Sequence, residues 1–103
     1  MPTKKQKIMA PIHPGVTLGE DFLKPLGISA HRLALELRVP ATRVSDIVRG
    51  HRAITADTSL RLARYFGTSP QFWMNLQVNY DLEMTADLIG SKISHAIQPH
   101  RSA

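Results

Sequence analysis

The chain of 103 residues contains no cysteine, and no stretch approaches the roughly 20 apolar residues of a membrane-spanning helix. Disulfides and thiolate zinc sites are therefore excluded, and we expect a protein of the reducing cytoplasm. The charged N-terminus is not followed by the apolar core of a signal peptide. The alternation typical of strands is also missing, and there is no internal repeat. We therefore expect one small all-α domain that does not associate with a membrane.

Arrangements typical of enzymes and metal sites are also missing. The histidines form no i,i+4 pair and have no carboxylate at ligand spacing; they are His13, His31, His51, His95 and His100. The sequence contains no Ser/His/Asp set, no paired carboxylates and no glycine-rich phosphate loop. We expect no metal, no cofactor and no enzymatic activity.

Basic residues outnumber acidic ones, 13 to 8, for a net charge of +5. Their positions are more informative than their sum. Between Ser29 and Arg52 only Glu36 and Asp46 are acidic, whereas five residues are arginines: Arg32, Arg38, Arg43, Arg49 and Arg52. This concentration of positive charge favours a nucleic-acid partner.

Caps, glycines and prolines predict five helices and a weak sixth. The predicted ranges are about 14–24, 30–37, 41–49, 56–66, 70–80 and 84–97. We expect a flexible N-terminal arm (1–12), a helix-turn-helix domain (13–81) and a C-terminal segment (82–103) that is partly helical and then disordered. Apolar spacing predicts core residues in the first and fourth helices: Val16, Leu18, Phe22, Leu23, Leu60, Ala63 and Phe66.

The segment from Ser29 to Arg52 predicts a helix-turn-helix. A short amphipathic helix is followed by the turn Arg38-Val39-Pro40 and then by the third helix. At about 100° per residue, the third helix places its apolar side chains on one face. The opposite face carries polar side chains. An ordinary solvated helix shows the same pattern, but together with the preceding helix and the tight turn it favours a helix that enters the major groove of DNA.

We predict nine DNA-contacting residues: Ser29, His31, Thr42, Arg43, Ser45, Asp46, Arg49, His51 and Arg52. The short Thr42 and Ser45 allow close approach to base edges, and Arg43 could bind a guanine. The residues at the end of the third helix, and the N-terminus of the second, are placed for phosphates. Asp46 could either accept from a cytosine amino group or orient a neighbouring arginine.

The fifth helix carries apolar residues at helical spacing, and we predict that these and Leu82 form core and a dimer interface: Phe72, Trp73, Leu76, Tyr80 and Leu82. A platform for stacking bases is the alternative, but no basic residues are interleaved there.

Three motifs resemble the HigA antitoxins, within the lambda-repressor-like, XRE-type helix-turn-helix proteins. They are I-H-P-G at 12–15, D-F-L-K-P-L-G at 21–27 and the long run V-R-G-H-R to W-M-N-L-Q at 48–77. The run from Ile54 to Gln77 is close to a family signature. The resemblance departs from the usual pattern at Arg38, where relatives have a glycine, and at Leu35, where they have a polar residue.

This resemblance implies a five-helix domain, a homodimer, operator binding and capture of a RelE-like toxin that cuts mRNA on the ribosome. It also implies that the antitoxin itself is not an enzyme. A stand-alone XRE-type transcriptional regulator without a toxin partner is the alternative, and a protein-interaction domain that has lost DNA binding is a third hypothesis.

The toxin contact is expected in the C-terminal segment. RelE-like toxins are usually basic, and Asp81, Glu83 and Asp87 supply an acidic patch there. Glu20 and Asp21 form a second possible contact.

Overall fold

The computed structural model describes residues 10–101, and these form helices and no strand. Helix α1 is built from three consecutive stretches, Pro14–Val16, Thr17–Leu23 and Lys24–Leu26; the others are α2 (Ala30–Leu37), α3 (Ala41–Val48), α4 (Ala56–Phe66) and α5 (Pro70–Ala96). The predicted all-α, five-helix fold is confirmed. Most of the predicted arm, residues 1–9, lies outside the described residues.

Three of the helices begin at the hydroxyl caps that the sequence indicates. The side chains of Ser29, Thr55 and Ser69 accept hydrogen bonds from the N–H groups three residues later, at 3.0, 3.4 and 3.1 Å. Each bond satisfies a donor that the first helical turn would otherwise leave unpaired. Helices α1 and α4 end at Gly27 and Gly67, both in the left-handed conformation that glycine adopts at little cost.

Helix α5 is longer than predicted. The sequence suggested an end near Tyr80 and a separate weak helix over 84–97, but α5 continues without a break to Ala96. No proline or glycine lies between Tyr80 and Met84, so nothing stops the helix where its buried apolar pattern ends. None of the helices in the described part of the chain, α5 included, is long and apolar enough to cross a membrane.

Every helix contributes at least one fully buried large side chain to a single core. These include Leu18, Leu33, Ile47, Leu62 and Trp73, from α1 to α5 in order, each with no exposed surface. Burying such a side chain stabilises the fold by roughly 1.5–3 kcal/mol. The polar end of Trp73 is also satisfied, because its indole N–H donates to the Thr68 hydroxyl at 2.7 Å.

Two residues predicted for the core are exposed. Val16 is 47% and Leu60 is 61% exposed, so these assignments were wrong. The buried side of α4 runs through Ser59, Leu62 and Ala63, and Leu60 lies about 100° from Ser59 around the helix. Serine is small enough to occupy that buried stripe, whereas the hydrophobicity of Leu60 pointed to the wrong side.

The N-terminus of α1 touches the backbone of α3. A Cβ atom added to Gly15 would lie 1.8 Å from the carbonyl oxygen of Ile47, so only a residue without a side chain fits there. The contact places the last turn of α3 against the first turn of α1. Helix α1 therefore supports α3 from behind.

We predict that Gly15→Ala destabilises the protein by about 1–3 kcal/mol or more, because the added methyl group forces α1 and α3 apart. Gly19→Ala is the matched control, since its Cβ would make an ordinary 3.4 Å contact with a Val48 methyl group. Urea unfolding followed by circular dichroism measures both. Equal stability of the two variants would contradict the packing argument.

His13 caps α1 with its ring. The Nδ1 atom accepts from the Gly15 N–H at 2.8 Å, and the ring meets that of Tyr80 edge-on at 4.9 Å. Burial lowers the pKa of His13 below its ordinary value of 6.5, although Asp81 and a backbone hydrogen bond to Arg52 act in the opposite direction. A protonated ring could not accept the bond from Gly15, so the cap requires neutral histidine.

We predict that the free energy of unfolding falls as the pH drops below about 6.5, because the unfolded chain then binds a proton that folded His13 resists. The stabilisation by neutral His13 is fully present above that pH. It is lost as the pH falls through the lower pKa that His13 has in the folded protein. His13→Asn keeps a capping acceptor that does not titrate, so its decline between pH 7 and 5 should be shallower. Thermal unfolding across this range measures the effect, and parallel curves for the two proteins would refute it.

Candidate nucleic-acid interface

Helices α2 and α3 form the predicted helix-turn-helix, and the tight turn between them contains one residue in the left-handed conformation. Arg38 has a φ of +62° and is the one non-glycine residue with positive φ in residues 10–101. A side chain in that conformation costs roughly 1–2 kcal/mol relative to glycine. The Val39 N–H donates to the Ala34 carbonyl at 3.1 Å, and Val39 packs against the core. The turn predicted at Arg38-Val39-Pro40 is thus present, with Arg38 in a left-handed conformation.

Helix α3 presents the faces that its sequence indicates. Val44 and Ile47 are buried against the domain, while Thr42 and Arg49 are exposed. Ser45 and Asp46 lie between these extremes at the edge of the exposed face. The short side chains of the exposed face leave the helix backbone open to a close approach by a base pair.

Asp46 lies close to the two arginines at the end of α3. Its carboxylate lies 3.1 Å from Nη2 of Arg49 and 4.0 Å from Nη2 of Arg52. Both guanidinium groups stay largely exposed and keep donors for another anion. Of the two roles considered for Asp46, the orientation of neighbouring arginines is the one this geometry favours.

Arg43 is held by a residue of α4. Its Nη1 donates to Asp57 Oδ2 at 2.6 Å, and the other Asp57 oxygen accepts from Arg61 at 3.0 Å. Arg61 in turn donates to the Leu37 carbonyl at the end of α2, at 2.8 Å. The hydrogen bonds from Arg61 and then Arg43 lower the pKa of Asp57. This chain of contacts links α2, α3 and α4 on the solvent side.

Sequence reasoning missed this cross-link. Neither Asp57 nor Arg61 was among the predicted site residues. The i,i+4 spacing of Asp57 and Arg61 could have indicated their pairing. The contact with Arg43, 14 residues away, depends on how α3 and α4 pack.

The remaining predicted contact residues flank α3. Ser29 is occupied as the cap of α2, while His31, His51 and Arg52 are exposed. The structure thus groups Asp46, Arg49 and Arg52 in one cluster and ties Arg43 into a second.

Gln77 is a further residue whose role was not predicted. Its buried amide accepts from the Ile54 N–H at 2.7 Å and donates to Asp81 at 2.9 Å. The loop that follows α3 is therefore fastened to α5. The sequence signal that could have indicated this role was a glutamine next to the apolar residues of α5.

The residues expected at the dimer interface differ in exposure. Trp73 is fully buried within the chain and has no surface to offer a partner, because α1 and α4 surround it with Phe22 and Phe66. Leu76 and Tyr80 are half-buried. Phe72 and Leu82 are exposed, at 37% and 64%.

A set of exposed apolar residues runs along the side of α5 that faces away from Trp73 and the core. It consists of Val78, Leu82, Ile89 and Ile93, which are 39–64% exposed. Their spacings of four, seven and four residues keep them on one side of a helix. We call this the α5 stripe; it is largely distinct from the residues that the sequence suggested.

The comparisons with known proteins agree with this geometry. The helix-turn-helix family model matches residues 20–73. Virulence-associated protein I of Dichelobacter nodosus is 54% identical over 84 residues, which cover 82% of this chain and 77% of that protein. An HTH-type transcriptional regulator of Haemophilus influenzae is 40% identical over 72 residues, covering 70% and 67%.

The structure of the Pseudomonas aeruginosa antitoxin HigA with the higBA promoter is also similar. It is 49% identical, with a TM-score of 0.87 over 88% of this chain and 99% of that one. The left-handed turn, the exposed polar face of α3 and these likenesses lead to one conclusion: the chain belongs to the helix-turn-helix family and, within it, to the HigA-type DNA-binding antitoxins.

Proposed function

We propose that this antitoxin binds the operator of its own operon as a homodimer, represses that operon in the cytoplasm and neutralises a RelE-like, mRNA-cleaving toxin. The observation that carries the DNA-binding part is the exposed face of α3, where Asp46 orients Arg49 and Arg52. The similar Pseudomonas aeruginosa HigA, seen with promoter DNA, supports the same use of the fold.

Arg43 and Thr42 read bases in this proposal, and Arg49 and Arg52 bind phosphates. Asp57 engages one edge of the Arg43 guanidinium, whose planar group has five N–H donors. The remaining donors could form the two parallel bonds that recognise guanine. An arginine that is already hydrogen-bonded to a neighbour loses less side-chain entropy when it binds DNA than a free one, because its position is already restricted.

We predict that Arg43→Ala weakens operator binding by roughly 1–3 kcal/mol and relaxes the preference at one base pair. Arg52→Ala should weaken binding to all sequences about equally and reduce the salt slope by about one unit. Fluorescence anisotropy with an operator fragment and single-base-pair variants, over a range of salt, measures both.

Arg64→Ala is the control, since Arg64 is an exposed arginine of α4 that is not among the proposed DNA contacts. Thermal unfolding of each variant separates lost contacts from lost stability, which matters because Arg43 also links α3 to α4. A uniform loss of affinity across the operator variants for both Arg43→Ala and Arg52→Ala would show that the roles are assigned wrongly.

Dimerisation in this proposal uses the α5 stripe. Val78, Leu82, Ile89 and Ile93 form an exposed apolar strip on a helix that extends beyond the core, and two such strips cover each other about a two-fold axis. Such a dimer can present two α3 helices about one DNA turn, roughly 34 Å, apart.

We predict that Leu82→Asp combined with Ile89→Asp yields a monomer with weaker operator binding, because two charges in the strip would have to be buried. Leu88→Asp is the control: it is 77% exposed and lies about 100° from Ile89 around the helix. Sedimentation velocity at micromolar concentration distinguishes the states. A monomeric wild-type protein would refute the dimer.

A stand-alone regulator without a toxin is the second candidate, and the Haemophilus influenzae relative, an HTH-type transcriptional regulator, favours it. Both candidates share the DNA-binding surface. An adjacent reading frame that encodes a small basic protein distinguishes them, since only the antitoxin requires it.

A further inference from the structure

A groove of about 550 Å³ separates the start of the described chain from the middle of α5. One wall contains Ile12 and Thr17, and the other contains Tyr80, Glu83, Ala86 and Asp87. Most of the lining is apolar, and both carboxylates lie on the α5 wall. The groove is remote in sequence from α3 and takes no part in the DNA contacts proposed above.

The carboxylates of the groove differ from most others in the chain. Four of the five acidic residues of α1 to α4 form ion pairs on the surface, and Asp21 is the exception; the pairs are Glu20–Lys24, Glu36–Arg32, Asp46–Arg49 and Asp57–Arg43. Among residues 10–101, neither Glu83 nor Asp87 has a cationic partner within 4.0 Å. A chain of net charge +5 therefore has a negative groove wall.

We propose that this groove binds a cationic segment of the partner toxin, with apolar side chains against Ile12 and Tyr80 and basic side chains on Glu83 and Asp87. The inference rests on the proposed antitoxin function and assigns the surface that performs it. Glu83 and Asp87 are four residues apart, so they lie on one side of α5 and can engage successive basic side chains.

The charge of the groove selects this occupant over a second copy of the chain. A two-fold contact through the groove would bring the same carboxylates of two copies close together, and like charges repel. The α5 stripe lies on a different side of the helix and remains available for dimerisation. The two surfaces could therefore be used at the same time.

The proposed contact also explains how binding would neutralise the toxin. A protein that cuts mRNA must attract the phosphate backbone with lysines or arginines. Carboxylates that pair with those side chains compete directly with RNA. The acidic wall then replaces phosphate, and the apolar part of the groove contributes to affinity and orientation.

The experiment uses the full chain and, as the probe, the product of the reading frame adjacent to its gene. Affinity is measured by isothermal titration calorimetry for wild type, for Glu83→Gln with Asp87→Asn, and for Ala86→Trp, which fills the groove without changing charge. The matched controls are Glu20→Gln with Asp21→Asn, which removes the same charge elsewhere, and Ser91→Trp, which adds the same bulk beyond the groove. Thermal unfolding of every variant verifies folding, and sedimentation velocity gives its oligomeric state.

We expect the affinity for the probe to fall roughly tenfold or more for both groove variants, and less than about threefold for both controls. If the wild-type chain does not bind the probe, the proposed antitoxin function fails, and the groove assignment with it. If the wild-type chain binds and the groove variants bind equally well, the groove assignment alone is wrong.

Two further outcomes would also overturn the assignment. If only Glu20→Gln with Asp21→Asn lowered the affinity for the probe, the toxin contact would lie on α1. Conversion of the groove variants to monomers, with toxin affinity unchanged, would show that the groove is an interface between copies.

Discussion

The contact between Gly15 and the Ile47 carbonyl is the constraint on which the rest of the structure depends. It lets α1 reach the backbone of α3, and the same α3 residue places its side chain in the core. Behind this contact, Leu18, Leu33, Leu62 and Trp73 complete a core to which every helix contributes. The exposed face of α3, which the proposed function assigns to DNA, therefore lies on a rigid support, as recognition of base edges requires.

The distribution of charge divides the molecule into two regions. Around α3 the acidic residues are paired with arginines, so Asp46 and Asp57 arrange positive charge and do not repel phosphate. On α5 the carboxylates of Glu83 and Asp87 line a groove in which no described cation pairs with them. In the proposed function, one region attracts DNA and the other attracts a basic protein, so a single small domain serves two partners of opposite charge.

Helix α5 connects these regions. Its first part packs Trp73 into the core, and Gln77 fastens the loop after α3 through the Ile54 N–H. Further along, the α5 stripe and the groove wall occupy different sides of the same helix. Tyr80 of the groove also contacts His13, which caps α1, so direct contacts link the groove to the helix that supports α3.

The sequence by itself determined the helical class, the caps at Ser29, Thr55 and Ser69, the turn at Arg38 and the polar face of α3. These features depend on local rules: hydroxyl caps, the reach of a helical turn and the period of apolar residues. Residues of one helix keep their relative positions whatever the rest of the chain does. The tertiary structure decided what depends on packing between distant segments: the pairing of Arg43 with Asp57, the buried amide of Gln77, the exposure of Leu60 and Val16, and the groove between α1 and α5. It also decided the length of α5, because a helix without a breaker continues beyond the core that its first half covers, and no local signal marks where burial ends.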